Sequence, residues 1–227
     1  MNLLVTEIFG PTFQGEGPST GQQAAFLRLS RCNLTCTWCD TPETWDTSRF
    51  DLASMTRRMT ESEVLHELLA VPAPLVVVTG GEPLLQQDRL VWLADMLRAN
   101  ERRVEIETNG TIVPVSGLLA AVKHWNVSPK LASSGVPYGK RINPEALRAL
   151  NSSHRAVFKF VVEGPTDLED VAELEAEYGL APIWVMPQAT TPTAVTAVMR
   201  EIANETLTRG WNLSTRLHIL LEDTDVR

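Results

Sequence analysis

Three residues of this chain stand out for their chemistry: Cys32, Cys36 and Cys39, its only cysteines, gathered in one short stretch. An odd, tightly clustered set cannot be a disulfide framework, so these thiols are metal ligands or redox groups. Their spacing is Cys-x3-Cys-x2-Cys. A four-iron four-sulfur cluster usually takes four cysteines, so three thiolates leave one iron open to an outside ligand. An amino acid with free amine and carboxylate groups can chelate that iron, and S-adenosylmethionine (SAM) is such a molecule. Trp38, just before the last cysteine, is placed to shield the cluster or to lie against an adenine. The alternatives are a zinc site and inert buried thiols. Structural zinc wants four protein ligands, and none of His66, His124, His154 and His218 lies near the loop, so a zinc reading needs a distant histidine.

Elements must carry this loop. Ala25–Leu29, Leu75–Val78, Arg103–Ile106, Trp125–Val127, Ala156–Val162 and Ile183–Met186 read as strands, several nearly continuous in apolar character, as in a parallel sheet covered on both faces. Between them lie helical signals. Thr60 to Glu63 and Thr166 to Glu169 read as capping boxes, Asn143-Pro144 as an N-cap followed by proline. Leu90, Leu93 and Leu97 form one apolar stripe and Val195, Val198, Met199 and Ile202 another. The order is strand, long loop, then repeated helix–strand units, which predicts an α/β fold with parallel strands and right-handed crossovers. About six strands are too few for a closed eight-fold barrel, so a partial (β/α) barrel is expected. Its ligand sites belong at the carboxyl ends of the strands. There lie 30–45 with the thiols, Thr79 to Pro83, Glu107 to Thr111, Ser128 to Lys130, and Pro187-Gln188. In Gly80-Gly81-Glu82, two glycines permit close approach to a ligand, and backbone and Glu82 oxygens can accept from an ammonium group. No linker or repeat divides the chain, so 1–227 reads as a single domain.

The net charge of −8 argues against a broad nucleic-acid surface. No stretch approaches the roughly 20 apolar residues of a membrane helix, and the first residues lack a basic-then-apolar leader pattern. A cytoplasmic protein is the expectation.

Cys-x3-Cys-x-aromatic-Cys, with Thr79-Gly80-Gly81-Glu82-Pro83 after a strand, resembles the radical SAM superfamily. The stretch from Glu7 to Gly17, Gly21, Phe26-Leu27-Arg28, Cys32 to Thr41, Glu107 to Thr111 and Ser128-Pro129-Lys130 are similar to the 7-carboxy-7-deazaguanine synthases of queuosine biosynthesis. The likeness is densest over 7–45. One departure is Ser30-Arg31, where that family leads one to expect a glycine.

The resemblance implies a lyase that converts 6-carboxy-5,6,7,8-tetrahydropterin to 7-carboxy-7-deazaguanine with loss of ammonia. Reductive cleavage of SAM would provide a 5′-deoxyadenosyl radical that takes a hydrogen from the pterin, and SAM would be regenerated. It also implies Mg2+, a homodimer, and an electron donor such as flavodoxin or ferredoxin. On this reading Phe13, Gln14, Gly15, Glu16, Arg28, Thr79 and His218 contact the pterin, with Arg28 as a fork for its carboxylate. An internal salt bridge is the alternative for Arg28, a solvated turn for Gln14 to Glu16, and a packed residue for His218. Thr37, Trp38, Gly81, Glu82, Glu107, Asn109, Ser128, Pro129, Lys130 and Gln188 serve SAM, and Thr41 offers its hydroxyl to magnesium. A glycyl-radical activase shares the thiol spacing but lacks Gln14 to Gly17 and Trp38 to Thr41.

Overall fold

A computed structural model describes residues 2–221; Met1 and 222–227, which the single-domain reading included, lie outside the described residues. Its strands are β1 (Leu3–Phe13), β2 (Gln23–Leu29), β3 (Arg57–Met59), β4 (Leu75–Gly80), β5 (Arg103–Thr108), β6 (His124–Val127), β7 (Ala156–Val162), β8 (Ile183–Pro187) and β9 (Asn212–Leu213). Helices are α1 (Leu52–Met55), α2 (Glu61–Ala70), α3 (Gln87–Ala99), α4 (Ser116–Ala121), α5 (Tyr138–Arg141), α6 (Pro144–Ser152), α7 (Asp167–Tyr178), α8 (Pro192–Thr208) and α9 (Leu217–Leu220). The strands form one sheet in the order β3-β1-β2-β4-β5-β6-β7-β8-β9. From β2 to β9 every neighbour is parallel, whereas β1 runs antiparallel to both β2 and β3.

All six expected strands are present and parallel. The structure adds β1, β3 and β9. The Gln14–Glu16 turn therefore does not precede the first strand; it joins an antiparallel pair, β1 and β2. Strand β1 is irregular, with register shifts between Val5 and Glu7 and between Phe9 and Thr12. Gly10-Pro11 interrupts it, and a proline removes a ladder donor.

Alternation along each strand sorts residues onto two faces. Leu27, Val76, Val78, Ile106, Trp125, Val127, Phe158, Phe160 and Val185 are buried against the helices in one continuous core. Leu90, Leu93 and Leu97 of α3 close over them from outside. Each such side chain contributes about 1.5–3 kcal/mol through removal from water, so this face holds the domain together.

Caps fix the helix starts. Thr60 Oγ1 accepts from the Glu63 amide at 3.2 Å while the Glu63 carboxylate accepts from the Thr60 amide at 2.7 Å. Asn143 caps α6, with Pro144 in its first turn. The expected second box at Thr166 does not form. Thr166 is itself helical, at φ −59° and ψ −35°, which turns its hydroxyl away from the cap position. Asp167 instead accepts from the Glu163 amide at 2.8 Å.

Candidate active site

The other sheet face turns toward a cavity of 1120 Å³ at the carboxyl ends of the strands. All three thiols line it, and every strand-end segment singled out in the sequence reaches it. The wall includes Arg28 of β2, Thr79 of β4, Glu107 of β5, Lys159 of β7 and Met186 of β8, with Gln188 beyond β8.

The thiol loop leaves β2 through Arg31, which sits at φ +82° in the left-handed region. This is where the family pattern led one to expect glycine, and the backbone adopts a glycine-like conformation there regardless. It is held by hydrogen bonds from the Arg31 amide to Thr44 O (2.8 Å) and from the Glu82 amide to Arg31 O (2.8 Å). Gly80 and Gly81 do their work against this loop. A Cβ on Gly80 would stand 2.2 Å from Leu29 O, and one on Gly81 2.0 Å from Arg31 O. The glycines thus press β4 against the root of the thiol loop.

The thiols are free and half-buried. Burial pushes the Cys32 thiol up to about 11 and raises that of Cys36, so metal binding would have to displace their protons. Main-chain and side-chain N–H groups already point at sulfur: Leu34 N at 3.4 Å from Cys32 Sγ and Trp45 Nε1 at 3.3 Å from Cys39 Sγ. Among the described residues, no three His, Cys, Asp or Glu side chains are gathered closely enough to hold one metal ion. A polynuclear cluster asks for something different, because each thiolate binds a different iron. Three separated thiols around one cavity, with donors on two of the sulfurs, fit it.

Beyond the thiols lies a polar network on the sheet. Glu105 is 2% exposed. Its carboxylate accepts from Ser19 Oγ (2.6 Å), Asn126 Nδ2 (2.9 Å) and Gln14 Nε2 (3.1 Å). Gln14 Nε2 also donates to Glu107 at 3.1 Å, and Thr79 Oγ1 donates to Glu107 at 2.7 Å. Burial raises the Glu105 carboxyl, opposed by the Ser19 bond and reinforced by Glu107. Next to it, Lys159 and Arg216 both pair with Glu16, and Arg216 also pairs with Asp40. Burial works against the Glu16 charge, but Lys159 and Arg216 outweigh it and hold the carboxyl below its usual range. Lys159, likewise opposed by burial, is raised by Glu16, Glu107 and Glu105.

The last described segment closes the site. Leu217 N donates to Gly15 O at 2.8 Å. A Cβ on Gly15 would lie 2.1 Å from His218 Nδ1, so any side chain there would push the imidazole aside. His218 lines the cavity and stands 3.9 Å from Glu16; burial pushes its imidazole below its usual range despite that carboxylate.

Most expected site residues share this cavity: Phe13, Gln14, Gly15, Glu16, Arg28, Trp38, Thr41, Thr79, Gly81, Glu107, Asn109, Ser128, Lys130, Gln188 and His218. Three do not line it. Glu82 is fully buried, and its carboxylate is taken by Leu84 N, Thr108 Oγ1 and Asn109 N, so it braces the loop instead of meeting an ammonium group. Thr37 docks the thiol loop on Ser134 O, and Pro129 is buried between Ser128 and Lys130. Two others line the cavity with their polar groups engaged. Both N–H bonds of the Gln14 amide go to Glu105 and Glu107, and its oxygen accepts from the Glu16 amide at 3.2 Å. Arg28 pairs with Glu7 at 2.7 Å and lies 5.7 Å from the Phe9 ring centre, the internal bridge weighed from the sequence. Lys130 bonds Ser128 at 3.0 Å and lies over Trp38.

Sequence reading missed Lys159, Arg216, Glu105 and Asn126. Two signals were available: a lone lysine inside the apolar run Ala156 to Val162, and a glutamate two residues before Glu107.

A mostly parallel α/β sheet with three thiols at its carboxyl ends is the architecture of the radical SAM superfamily, whose family model matches residues 27–146. Similar structures agree. That of QueE from Escherichia coli superposes with a TM-score of 0.72 at 29% identity, covering 96% of this chain and 95% of the other. The chain belongs to the 7-carboxy-7-deazaguanine synthase family. It is 37% identical over 224 residues to the synthase of Pyrobaculum aerophilum, covering 96% of this chain and 94% of that one. To the synthase of Hyperthermus butylicus it is 34% identical over 228 residues, covering 97% and 93%.

Proposed function

We propose that this chain is a radical SAM lyase that forms 7-carboxy-7-deazaguanine from 6-carboxy-5,6,7,8-tetrahydropterin with loss of ammonia. The observation that carries this reading is one cavity shared by the three thiols and the Gln14–Glu16 turn. Cys32, Cys36 and Cys39 hold the cluster. When bound, the cluster and SAM supply a one-electron reductive cleavage that yields a carbon-centred radical able to abstract hydrogen. The chain's own part is to hold the substrate against that chemistry and keep water away.

Glu16 offers an ionised carboxylate fixed by Lys159 and Arg216, suited to the N–H edge of a pterin. Gln14 acts through position, tying the turn to Glu105 and Glu107. Arg28 and His218 both line the cavity, and Arg28 serves the substrate carboxylate once it releases Glu7. Asn109, Ser128, Lys130, Gln188, Gly81, Glu107 and Trp38 frame the SAM side. Thr41 offers its hydroxyl to Mg2+, which keeps most of its water ligands.

One nine-stranded sheet supports reading the chain as a single domain. Sheet edges at β3 and β9 invite pairing with a second copy, in keeping with a homodimer. No helix among the described residues is long and apolar enough to cross a membrane. The family resemblance supports a cytoplasmic enzyme reduced by flavodoxin or ferredoxin.

The test is anaerobic turnover of cluster-loaded protein with SAM, reductant, Mg2+ and the carboxytetrahydropterin. Mass spectrometry should find 7-carboxy-7-deazaguanine. A fully loaded cluster that yields none of it refutes the assignment.

A further inference from the structure

The three thiols do not have equal surroundings. Cys39 receives a side-chain N–H, the Trp45 indole, at 3.3 Å from nitrogen to sulfur. The indole is not a loosely placed ring. Trp45 follows a tight turn over Pro42–Thr44, and its amide bonds Pro42 O at 3.1 Å. Thr44 at the heart of that turn is fully buried. The Thr44 hydroxyl donates to Thr41 O at 2.7 Å, and its carbonyl accepts the Arg31 amide at 2.8 Å. Arg31 and Thr41 lie on either side of the thiols in sequence. The turn therefore closes the loop into a ring of backbone contacts, with the indole N–H directed inward at sulfur.

An N–H donor on a cluster thiolate has a defined electrical effect. It withdraws negative charge from sulfur, and it stabilises the reduced cluster, which carries one more electron, more than the oxidised one. The potential therefore rises and reduction becomes easier. Indole is a donor only, with no alternative acceptor role to turn it around.

We propose that Trp45 is a hydrogen-bond donor to the Cys39 sulfur that raises the reduction potential of the cluster. It is a positioning residue, acting through Cys39 and touching no substrate. This inference rests on reading the thiols as cluster ligands.

The test is an EPR-monitored redox titration of anaerobically reconstituted wild type and Trp45→Phe, with iron and sulfide measured on both. Trp45→Phe keeps an aromatic ring and removes the N–H donor along with the pyrrole part of the indole. The expected result is an equal iron load, a midpoint potential shifted to more negative values, and loss of one exchangeable-proton coupling in pulsed EPR of the reduced cluster. An unchanged midpoint and coupling at equal load overturns the proposal. Should the variant fail to take up iron, Trp38→Phe protein labelled with 15N in its indole rings decides, because Trp38 is the other tryptophan that lines the cavity. A 15N coupling to the reduced cluster supports the contact, and its absence in a loaded sample overturns it. Wild type that binds no iron and sulfide overturns the cluster reading itself, and this inference with it, which is a distinct outcome.

Discussion

Phe158 and Lys159 are neighbours on β7, yet they belong to different worlds. Phe158 is fully buried among the helices, and Lys159 points into the cavity, where Glu16 takes its charge. The same division runs across the sheet: Ile106 against Glu105 and Glu107, Trp125 against Asn126, Val78 against Thr79. The helix face works by non-directional burial, so one apolar residue can stand in for another of similar volume. The cavity face works by directed pairs, each of which needs its partner at a set distance. Stability and chemistry are thus written on alternate residues of the same strands.

That division can be broken from either side. The largest effect should come from Cys36→Ser: turnover falls to background while denaturant unfolding stays within about 1 kcal/mol of wild type. Phe158→Ala attacks the other face and should cost about 3–5 kcal/mol in urea melts. Its surviving folded fraction keeps its turnover per molecule. Lys159→Met breaks the pairing of a buried charge and should cost about 3 kcal/mol, the low end because Arg216 still faces Glu16. It should also raise the pterin KM, which Phe158→Ala leaves alone.

The Lys159 effect should depend on pH in a set direction. Glu16 titrates below its ordinary 4.5 when folded, so its contribution is complete above 4.5 and is lost as pH falls toward the folded value. Lys159 titrates above its ordinary 10.5, so its contribution is complete below 10.5 and is lost as pH rises through the folded value. The stability gap between wild type and Lys159→Met should therefore be widest between these limits and close below pH 4.5, as thermal melts across pH would record. The smallest effect is a gain: Arg31→Gly relieves a left-handed residue and should stabilise by about 1 kcal/mol.

Much of this was legible in the chain. The six strands of the parallel sheet were visible because their helix-facing residues are apolar and their runs are short. The thiol loop was visible from spacing alone. Strand β1 was not, because Gly10-Pro11 interrupts it and only three of its 11 residues are buried, which blurs the alternation that marks a strand. The Thr166 box failed for a geometric reason no pattern of residue types contains. Lys159 and Arg216 escaped notice because their meaning lies in Glu16, far away in sequence; a buried charge declares itself only when its partner is seen. Gly80 and Gly81 were rightly marked as sites of close approach, but the approaching group is the chain itself.

The tie between Glu16 and Arg216 spans 200 residues, and that between Asp40 and Arg216 spans 176. A ribosome adds about 5–20 residues per second, so the turn and the thiol loop leave it roughly 10–40 s before the arginine that clasps them is made. The order of translation thus places the thiol loop early and the arginine that seals the pocket around it late.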